Sequence, residues 1–293
     1  MTQVMVPQEW EGLLPGIKEH KPPRIIMLVG GIDTGKTTLC GFLFDRLSAH
    51  REHTLLIDAD LGQSGIGPPA TVGLAGKRDS HGIFHPLCLQ FVGSTSPRGH
   101  MLQTLAAVKK IVNKARRLGP DNIIMDTSGF VTGAIGSEFK FQKIDLIHPT
   151  HVILLEREGE LGPLYTNISC RTGTSVFRME VPPGVITPKS PEERRRYREE
   201  RFREYFSNAR PVSLSLDAMG LHGMVPDLYE GSCCQNLLVG LCDGNNNTLS
   251  LGIVAHIDPS EKIVRLISPI DDTERIRSLQ FGSIRVRKSG EEG

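Results

Sequence analysis

The residues with the clearest chemical potential lie early in the chain, in a glycine-rich segment. Gly30, Gly35, Lys36 and Thr37 follow the spacing G-x-x-x-x-G-K-[ST], which is typical of a phosphate-binding loop. In such a loop, backbone N–H groups surround a polyphosphate, the lysine reaches its outer phosphates, and the threonine hydroxyl stands where Mg²⁺ binds. We therefore expect a nucleoside triphosphate to be held by Gly31, Ile32, Asp33, Thr34, Gly35, Lys36, Thr37 and Thr38.

Three aspartates stand at the ends of two apolar runs. Asp58 and Asp60 close one run in the pattern D-x-D-x-G-Q, and Asp126 closes another. The carboxyl ends of parallel strands form the edge of a sheet where ligands bind. One carboxylate can orient Mg²⁺ while another accepts a proton from an attacking hydroxyl, so we predict Thr37, Asp58 and Asp126 as metal ligands. The alternative is a strand-end turn capped by aspartate and glycine.

A charged segment from Ser190 to about residue 209 contains several arginines and is predicted to form a helix. Ser190 suits the N-cap and Pro191 the first helical position. Arg194, Arg198 and Arg201 fall at i, i+4 and i+7, so they project from one face and are able to clamp a phosphoryl group through paired donors. The alternative is a solvated helix held by pairs such as Glu192–Arg196.

These residues need a scaffold in which strands and helices alternate. Apolar runs predict strands near 24–29, 54–59, 88–93, 121–126, 150–156 and 174–181, and helices near 36–49, 99–118 and 137–147. That rhythm is typical of an α/β fold with a mostly parallel, doubly wound sheet. Short alternating runs after Pro211, with a hairpin turn at Asp243, predict a small β-rich C-terminal domain. We divide the chain into an extension (1–23), a P-loop domain with its helical arginine lid (24–210), and the β-rich domain (211–293).

Composition places the chain among ordinary globular proteins. It has 293 residues, 39% hydrophobic and 23% charged, with a net charge of +1, so no global field indicates nucleic-acid binding. Neither a signal peptide nor a membrane-spanning run is evident, and the six cysteines form no C-x-x-C pair. We read adjacent Cys233 and Cys234 as reduced thiols rather than metal ligands, and expect a cytoplasmic protein. A Pro-Pro-Gly break is expected at 182–184, and the Ser-Gly-Glu-Glu-Gly tail is expected to fray.

The order of these motifs resembles the polynucleotide 5′-hydroxyl kinase family, whose relatives act in tRNA splicing, mRNA 3′-end formation and pre-rRNA processing. The resemblance runs from about Arg24 to Val286. It includes Asp33 in the phosphate-binding loop, D-x-D-x-G-Q at 58–63, and the segments Gly-Ser-Thr-Ser-Pro at 93–97 and Gly-Ser-Glu-Phe-Lys-Phe-Gln-Lys-Ile at 136–144. The arginine helix that ends in Arg-Glu-Tyr-Phe completes the set. It implies transfer of the ATP γ-phosphate, with Mg²⁺, to the 5′-hydroxyl of RNA or DNA.

The resemblance also implies roles for individual residues. Lys36 and Thr37 hold phosphate and metal, Asp60 is the general base with Asp58 beside it, and Arg194 and Arg198 match the lid arginines. Asp33 matches an acid that restrains Lys36 before substrate arrives. By the same resemblance, the residues expected to contact the nucleic-acid substrate are Gln63, Thr95, Phe130, Lys189 and Arg201.

The chain departs from the family in three places. Phe130 stands where many members carry tryptophan, which leaves a smaller face for base stacking. Lys189 stands where arginine is frequent, so the charge is kept and the bidentate fork is lost. Only about 23 residues precede the first strand, where eukaryotic members carry a large N-terminal domain that contacts adenine.

We therefore predict an ATP- and Mg²⁺-dependent polynucleotide 5′-hydroxyl kinase that acts on single-stranded ends or overhangs, with no membrane partner. The alternative from another class is a non-catalytic scaffold that binds ATP within a nucleic-acid processing complex. A switch ATPase or GTPase is disfavoured because position 31 is glycine rather than a signature lysine and no N-K-x-D follows the D-x-x-G at Asp126.

Overall fold

The computed structural model describes residues 8–49, 52–181, 187–228 and 231–293. The chain forms two compact units, and each is assembled from separate segments. The first unit contains the described residues up to Asp60 together with Leu74–His85 and Val108–Lys189; the second contains Leu61–Gly73, Pro86–Ala107 and Ser190–Gly293. The predicted three-part division stays a prediction, and the lid helix is grouped by its contacts with the C-terminal strands.

The chain has helices and strands in alternation through its first two thirds. The helices are α1 (Gln8–Glu11), α2 (Leu13–Lys18), α3 (Lys36–Ser48), α4 (Met101–Arg117), α5 (Gly133–Ile147), α6 (Gly162–Ser169), α7 (Pro191–Tyr205) and α8 (Gly231–Cys234). The strands are β1 (Arg24–Gly30), β2 (Thr54–Ala59), β3 (Thr71–Arg78), β4 (Phe84–Phe91), β5 (Asn122–Thr127), β6 (His151–Glu156), β7 (Ser175–Glu180), β8 (Arg210–Ser215), β9 (Gly220–Gly223), β10 (Leu237–Cys242), β11 (Thr248–Asp258), β12 (Ile263–Ser268) and β13 (Ser278–Arg285).

A seven-stranded sheet with the order β4-β3-β2-β5-β1-β6-β7 confirms the predicted α/β class. The pairings of β1 with β5 and β6, of β2 with β5, and of β6 with β7 are all parallel. β1, β2, β5 and β6 are buried along their whole length, as strands covered on both faces must be. Their carboxyl ends therefore share one edge, where Gly30, Asp58, Asp126 and Glu156 stand.

The second unit contains the predicted β-rich part of the chain, a six-stranded sheet with the order β8-β12-β11-β10-β13-β9. β10 and β11 pair antiparallel, and the Asp243 N–H donates to the Asn247 carbonyl at 3.0 Å, which confirms the predicted hairpin. One face of this sheet packs around Phe202 and Phe206 of α7, both fully buried, together with Ala70 and Phe91. Segments distant in sequence thus share one core.

The structure differs from the sequence-based expectations at several elements. The strand predicted at 88–93 lies at 84–91, and α5 begins at Gly133 rather than near residue 137. β3, α1, α2 and α6 were not predicted. The expected Pro-Pro-Gly break lies outside the described residues. The expectation of a frayed tail is wrong, because Gly290 is buried and Glu292 is only half exposed, and both lie against α7.

The first unit also contains a buried histidine at the amino end of β6. The His151 ring is inaccessible to solvent, lies 4.5 Å from the His20 ring and stacks on Phe177, and its Nδ1 lies 2.8 Å from Thr150 Oγ1. Burial lowers the pKa of His151 to about 4, and the neighbouring His20 adds to the shift. The folded chain therefore excludes a proton that the unfolded chain binds below about pH 6.5.

We expect this histidine to make the chain less stable in mild acid. Above about pH 6.5 His151 is neutral in both the folded and the unfolded chain and costs no stability. As the pH falls toward 4, the free energy of unfolding decreases, because the unfolded state binds a proton that the folded state does not. Between pH 7 and pH 5 the free energy of unfolding should fall by about 1–2 kcal/mol from this group. Urea unfolding at pH 7 and at pH 5 measures this difference in the free energy of unfolding. The variant His151→Phe should lose less stability between the two pH values than the wild type. An equal loss in both would assign it to other groups.

Candidate active site

The phosphate-binding loop is the turn between β1 and α3. Asp33 (φ 53°) and Gly35 (φ 84°) adopt the left-handed backbone conformation, which lets the chain curl back on itself before α3 begins at Lys36. Thr34 is buried, and its hydroxyl donates to the Gly31 carbonyl at 3.1 Å. The N-terminus of the 13-residue α3 therefore opens into the loop, and its free N–H groups and positive dipole favour an anion there.

Lys36 is folded into this loop. Its Nζ donates to the Gly31 carbonyl at 2.5 Å and to Thr34 Oγ1 at 3.3 Å, and only 6% of the residue is exposed. Burial lowers the pKa of Lys36 below its ordinary value, while the nearby Asp126 and Asp60 carboxylates oppose the shift. Among the described residues, the hydrogen-bond partners of this ammonium group are neutral oxygens, which it is suited to exchange for phosphate oxygens.

Thr37 and Asp126 form the best candidate for a magnesium site. The Thr37 hydroxyl donates to Asp126 Oδ2 at 2.6 Å, and Asp126 Oδ1 is buried without a hydrogen-bond partner in the described chain. Burial raises the pKa of Asp126 to about 6, against the effects of Lys36 and the Thr37 hydrogen bond. A hydroxyl and a carboxylate oxygen lacking a partner fit Mg²⁺, which takes one or two carboxylates and fills its remaining positions with phosphate and water.

The remaining carboxylates of the site lie at the end of β2. Asp58 is buried, and its Oδ1 accepts the backbone N–H of Asp60 at 2.9 Å, which fixes the turn that carries the half-buried Asp60. The Asp60 charge acts on Lys36 and Asp126 alike, raising the pKa of each. The predicted pair of carboxylates is therefore brought together with the lysine and the candidate metal ligand. Among the described residues no group of three or more His, Cys, Asp or Glu is arranged to bind a metal.

Two lysines of α5 close to this cluster belong to the family segment 136–144, but no role was predicted for them. Lys140 is fully buried, and its Nζ donates to Thr127 Oγ1 at 2.9 Å and to the Ser128 carbonyl at 2.5 Å, directly after Asp126. Lys143 is also fully buried, with its Nζ 4.6 Å from the centre of the Phe139 ring. Burial lowers the pKa of Lys140 well below its ordinary value and that of Lys143 to about 8, and the Asp60 charge opposes both shifts. Their spacing offered a signal of burial, because Gly136, Lys140, Lys143 and Ile147 lie on one face of α5 and the other two residues are buried.

Other contacts hold the outside of the loop. Arg157 donates from Nη2 to the Asp33 carbonyl and from Nη1 to the Ile32 carbonyl at 3.4 Å. The Asp33 carboxylate accepts the backbone N–H of Lys189 at 3.0 Å, while Lys189 itself is exposed. Asp33 therefore links the loop to the segment that leads into the predicted lid. Its charge also opposes the lowered pKa of Lys36, as expected for an acid close to that lysine.

Phe130, the predicted stacking residue, lies on the turn between β5 and α5. The ring is half-buried and lies 6.1 Å from the ring of Phe139 with a tilt of 50° between their planes. Nearby Ile32 is 56% exposed. The turn thus supplies an aromatic side chain that is supported from behind by a buried ring.

Substitution of Gly129 in the same turn is expected to weaken nucleotide binding. A Cβ there would lie 2.7 Å from Ile32 N and 2.8 Å from Ile32 Cα, so Gly129→Ala must displace the phosphate-binding loop. Overpacking of this kind costs about 1–3 kcal/mol. Because the loop must regain its present conformation to bind ATP, this cost corresponds to an affinity about fivefold to 150-fold weaker. Isothermal titration measures it. Gly162→Ala is the control, since its Cβ would meet no atom within 4 Å, and equal affinities for both variants would contradict the expectation.

The other predicted residues belong to the second unit. Gln63 is half-buried, and its Nε2 donates to the carbonyls of Gly62 at 3.0 Å and Arg194 at 3.3 Å. Thr95 is half-buried in the turn after β4. The role of each toward nucleic acid stays a prediction.

The lid helix α7 begins as predicted, with a capping box formed by Ser190 and Glu193. Arg194, Arg198 and Arg201 are half-buried, whereas Arg195 and Arg196 are exposed, so the predicted stripe is the covered face of the helix. Arg198 forms a two-point salt bridge with Glu292, and Arg201 contacts Glu204 at 2.7 Å and the Gly67 carbonyl at 3.0 Å. The salt bridges within the helix are Arg195–Glu199 and Arg201–Glu204, and among the described residues the predicted Glu192–Arg196 pair does not form.

Comparison with known proteins identifies relatives along nearly the whole chain. The profile of the family described as mRNA cleavage and polyadenylation factor CLP1 P-loop matches residues 30–208. A polyribonucleotide 5′-hydroxyl-kinase of Pyrococcus furiosus is 29% identical, over 98% of this chain and 94% of the relative. One of Methanocaldococcus jannaschii is 29% identical over the same shares. The polyribonucleotide 5′-hydroxyl-kinase Clp1 of Bos taurus is 26% identical over 64% of this chain and 46% of its own.

Among solved structures, the Clp1p chain in a Clp1p–Pcf11p complex superposes with a TM-score of 0.70. The match covers 94% of this chain and 79% of that chain at 13% identity, so it supports the fold alone. Within the described residues, no helix has the length and apolar character that crossing a membrane requires.

Proposed function

Since the chain belongs to the CLP1 P-loop family, we propose that it is an ATP-dependent polynucleotide 5′-hydroxyl kinase. The relatives that match it over nearly their full length carry the name polyribonucleotide 5′-hydroxyl-kinase. The nucleotide is ATP and the metal is Mg²⁺. The acceptor is a nucleic acid with a free 5′-hydroxyl, and the names of the relatives favour RNA over DNA.

One observation in particular supports this function. Asp126 keeps one buried carboxylate oxygen without a partner among the described residues, and its other oxygen is bonded to the hydroxyl of Thr37, the residue after Lys36. A buried carboxylate oxygen without a partner is costly, and a metal ion bound with a nucleotide removes that cost. Thr37, Asp126 and the adjacent Asp58 would hold Mg²⁺ there, and the ion would supply positive charge against the phosphates.

The chain's own residues account for the rest of the reaction. Asp60 accepts the proton of the 5′-hydroxyl while the hydroxyl oxygen forms a bond to the γ-phosphorus. The bond between that phosphorus and the β,γ-bridging oxygen breaks, and ADP leaves. Lys36 exchanges the Gly31 carbonyl for phosphate oxygens, so its positive charge moves onto the transferring group. Arg194 and Arg198 add the charge that the family resemblance assigns to the lid.

The acceptor residues follow from the same resemblance. Phe130 stacks on the terminal base, which requires an unpaired end, so single-stranded ends or overhangs are the preferred substrates. Gln63, Thr95, Lys189 and Arg201 contact the strand behind it. Among the described residues, none of the six cysteines forms a disulfide, and Cys170 is exposed, which fits a reducing cytoplasm.

The test is transfer of label from γ-labelled ATP in the presence of Mg²⁺. Matched RNA and DNA oligonucleotides with a 5′-hydroxyl are the substrates, and the same oligonucleotides with a 5′-phosphate are the controls. Label at the 5′ end of the hydroxyl oligonucleotides alone supports the kinase, and the ratio of RNA to DNA labelling gives the sugar preference. Stoichiometric ATP binding without any transfer contradicts it and favours the scaffold.

A further inference from the structure

The chain after the last strand folds back onto the lid helix. Residues 286–292 form this segment, which we call the 286–292 loop. Val286 and Glu292 form an isolated bridge, and the Gly290 N–H donates to the Arg287 carbonyl at 2.8 Å, so the loop is a closed turn. α7 donates to it twice, from Arg203 Nε to the Ser289 carbonyl at 2.9 Å and from Arg195 Nη2 to the Glu292 carbonyl at 2.8 Å.

The fit between the loop and the helix is close. Gly290 is buried with φ of +92°, and a Cβ there would lie 2.2 Å from the Glu199 carbonyl oxygen and 2.8 Å from Arg203 N. Only glycine both tolerates this backbone conformation and leaves room for the helix. The position of Glu292 on α7 is therefore set by backbone contacts on either side of Gly290, independently of its own side chain.

Glu292 holds one edge of the Arg198 guanidinium. Nε donates to Oε1 at 2.6 Å and Nη2 donates to Oε2 at 2.7 Å, with the two side chains 20% and 17% exposed. This is the paired geometry in which a carboxylate fixes both the plane and the direction of an arginine. Glu292 occupies the edge formed by Nε and Nη2. Among the described residues, no partner takes the edge formed by Nη1 and the second hydrogen of Nη2, so that edge is available to another anion.

We propose that Glu292 is a positioning residue for phosphoryl transfer, which orients Arg198 so that its Nη1–Nη2 edge meets the transferring phosphate. The proposal rests on the proposed function, because it requires Arg198 to act on that group. A free arginine side chain has many rotamers, and ordering it at the moment of reaction costs conformational entropy. A side chain already held by Glu292 avoids that cost.

The experiment compares the full chain with its Glu292→Gln variant in steady-state and single-turnover transfer to a 5′-hydroxyl RNA. The amide has nearly the same shape, but it presents a donor where Arg198 needs an acceptor. We expect kcat to fall about tenfold or more, while KM for ATP and for RNA changes less than about twofold.

Glu291→Gln is the matched control. Glu291 precedes Glu292 in the same loop, but its carboxylate pairs with Arg287 at 3.1 Å, and both side chains are more than half exposed. Its loss should leave kcat unchanged. The decisive variant is Glu292→Gln in an Arg198→Ala background, where it should have no further effect on kcat because Glu292 acts through Arg198. A merely structural role would lower the rate again in that background.

Each other outcome is informative. Wild-type activity in Glu292→Gln, or a faster rate that marks the salt bridge as a restraint on Arg198, would overturn the proposal and leave the kinase function intact. A further loss in the double variant would assign Glu292 to stability. A wild-type chain that transfers no phosphate would refute the proposed function, and the role of Glu292 with it.

Discussion

Replacing Asp60 with asparagine is expected to lower kcat for 5′-phosphorylation about a hundredfold to ten-thousandfold, the usual contribution of a positioned base. Asparagine keeps the size of the side chain and cannot accept the proton of the 5′-hydroxyl. Nucleotide binding should persist, because Lys36, Thr37 and Asp126 remain in place. Single-turnover transfer at saturating ATP, with the ATP affinity measured by titration, separates the two effects.

Asp145→Asn is a suitable control for that variant. Asp145 lies in the last turn of α5, is half exposed, and forms a salt bridge with Arg171 at 2.7 Å. The same chemical change there should leave kcat unaltered. If Asp60→Asn turned over at the rate of the wild type, Asp60 would not be the base, and Asp58 would become the next candidate.

Replacing Lys36 with alanine is expected to slow transfer and also to weaken ATP binding. The ammonium group stabilises charge on the transferring phosphate, and its loss should slow transfer by at least about a thousandfold. ATP should also bind more weakly. The unliganded variant should be no less stable than the wild type, because a buried ammonium with lowered pKa opposes folding at neutral pH.

Thermal unfolding without nucleotide and transfer assays on the same preparations test both parts of that expectation. Lys262→Ala is the control, since Lys262 forms an exposed pair with Asp217. Residual transfer by Lys36→Ala within tenfold of the wild type would show that the loop does not stabilise the reaction in the way proposed.

The parallel sheet and its loop were predictable because their signals are local. Buried strands such as β1 are continuous apolar runs, and the G-x-x-x-x-G-K-T spacing allows few other structures. β3 was not predicted because Gly73 and Gly76 interrupt its apolar run. Gly73 is required by packing, since a Cβ there would lie 2.5 Å from the Ile66 carbonyl oxygen. The strand needs a glycine where strand propensity argues against one.

The contacts that sequence reasoning missed are distant in the chain. Lys140 and Lys143 look like ordinary surface residues until the helix stripe they occupy is known to be buried. Glu292 gave no signal, because the loop that presents it is flanked by polar residues and glycines, a composition typical of frayed ends. Its role depends on packing against α7, which no local pattern encodes.

The interleaved second unit has a consequence for biosynthesis. Ala70 and Phe91 share a core with Phe202, Leu238 and Val286, and a Cβ at Gly240 would lie 2.8 Å from the Phe91 ring. At about 5–20 residues per second, the early segments wait on the order of ten seconds for their partners to leave the ribosome. During that interval, their apolar side chains are available to chaperones or to wrong partners. Rare codons between residues 92 and 285 should therefore lower the soluble yield more than the same codons before residue 70.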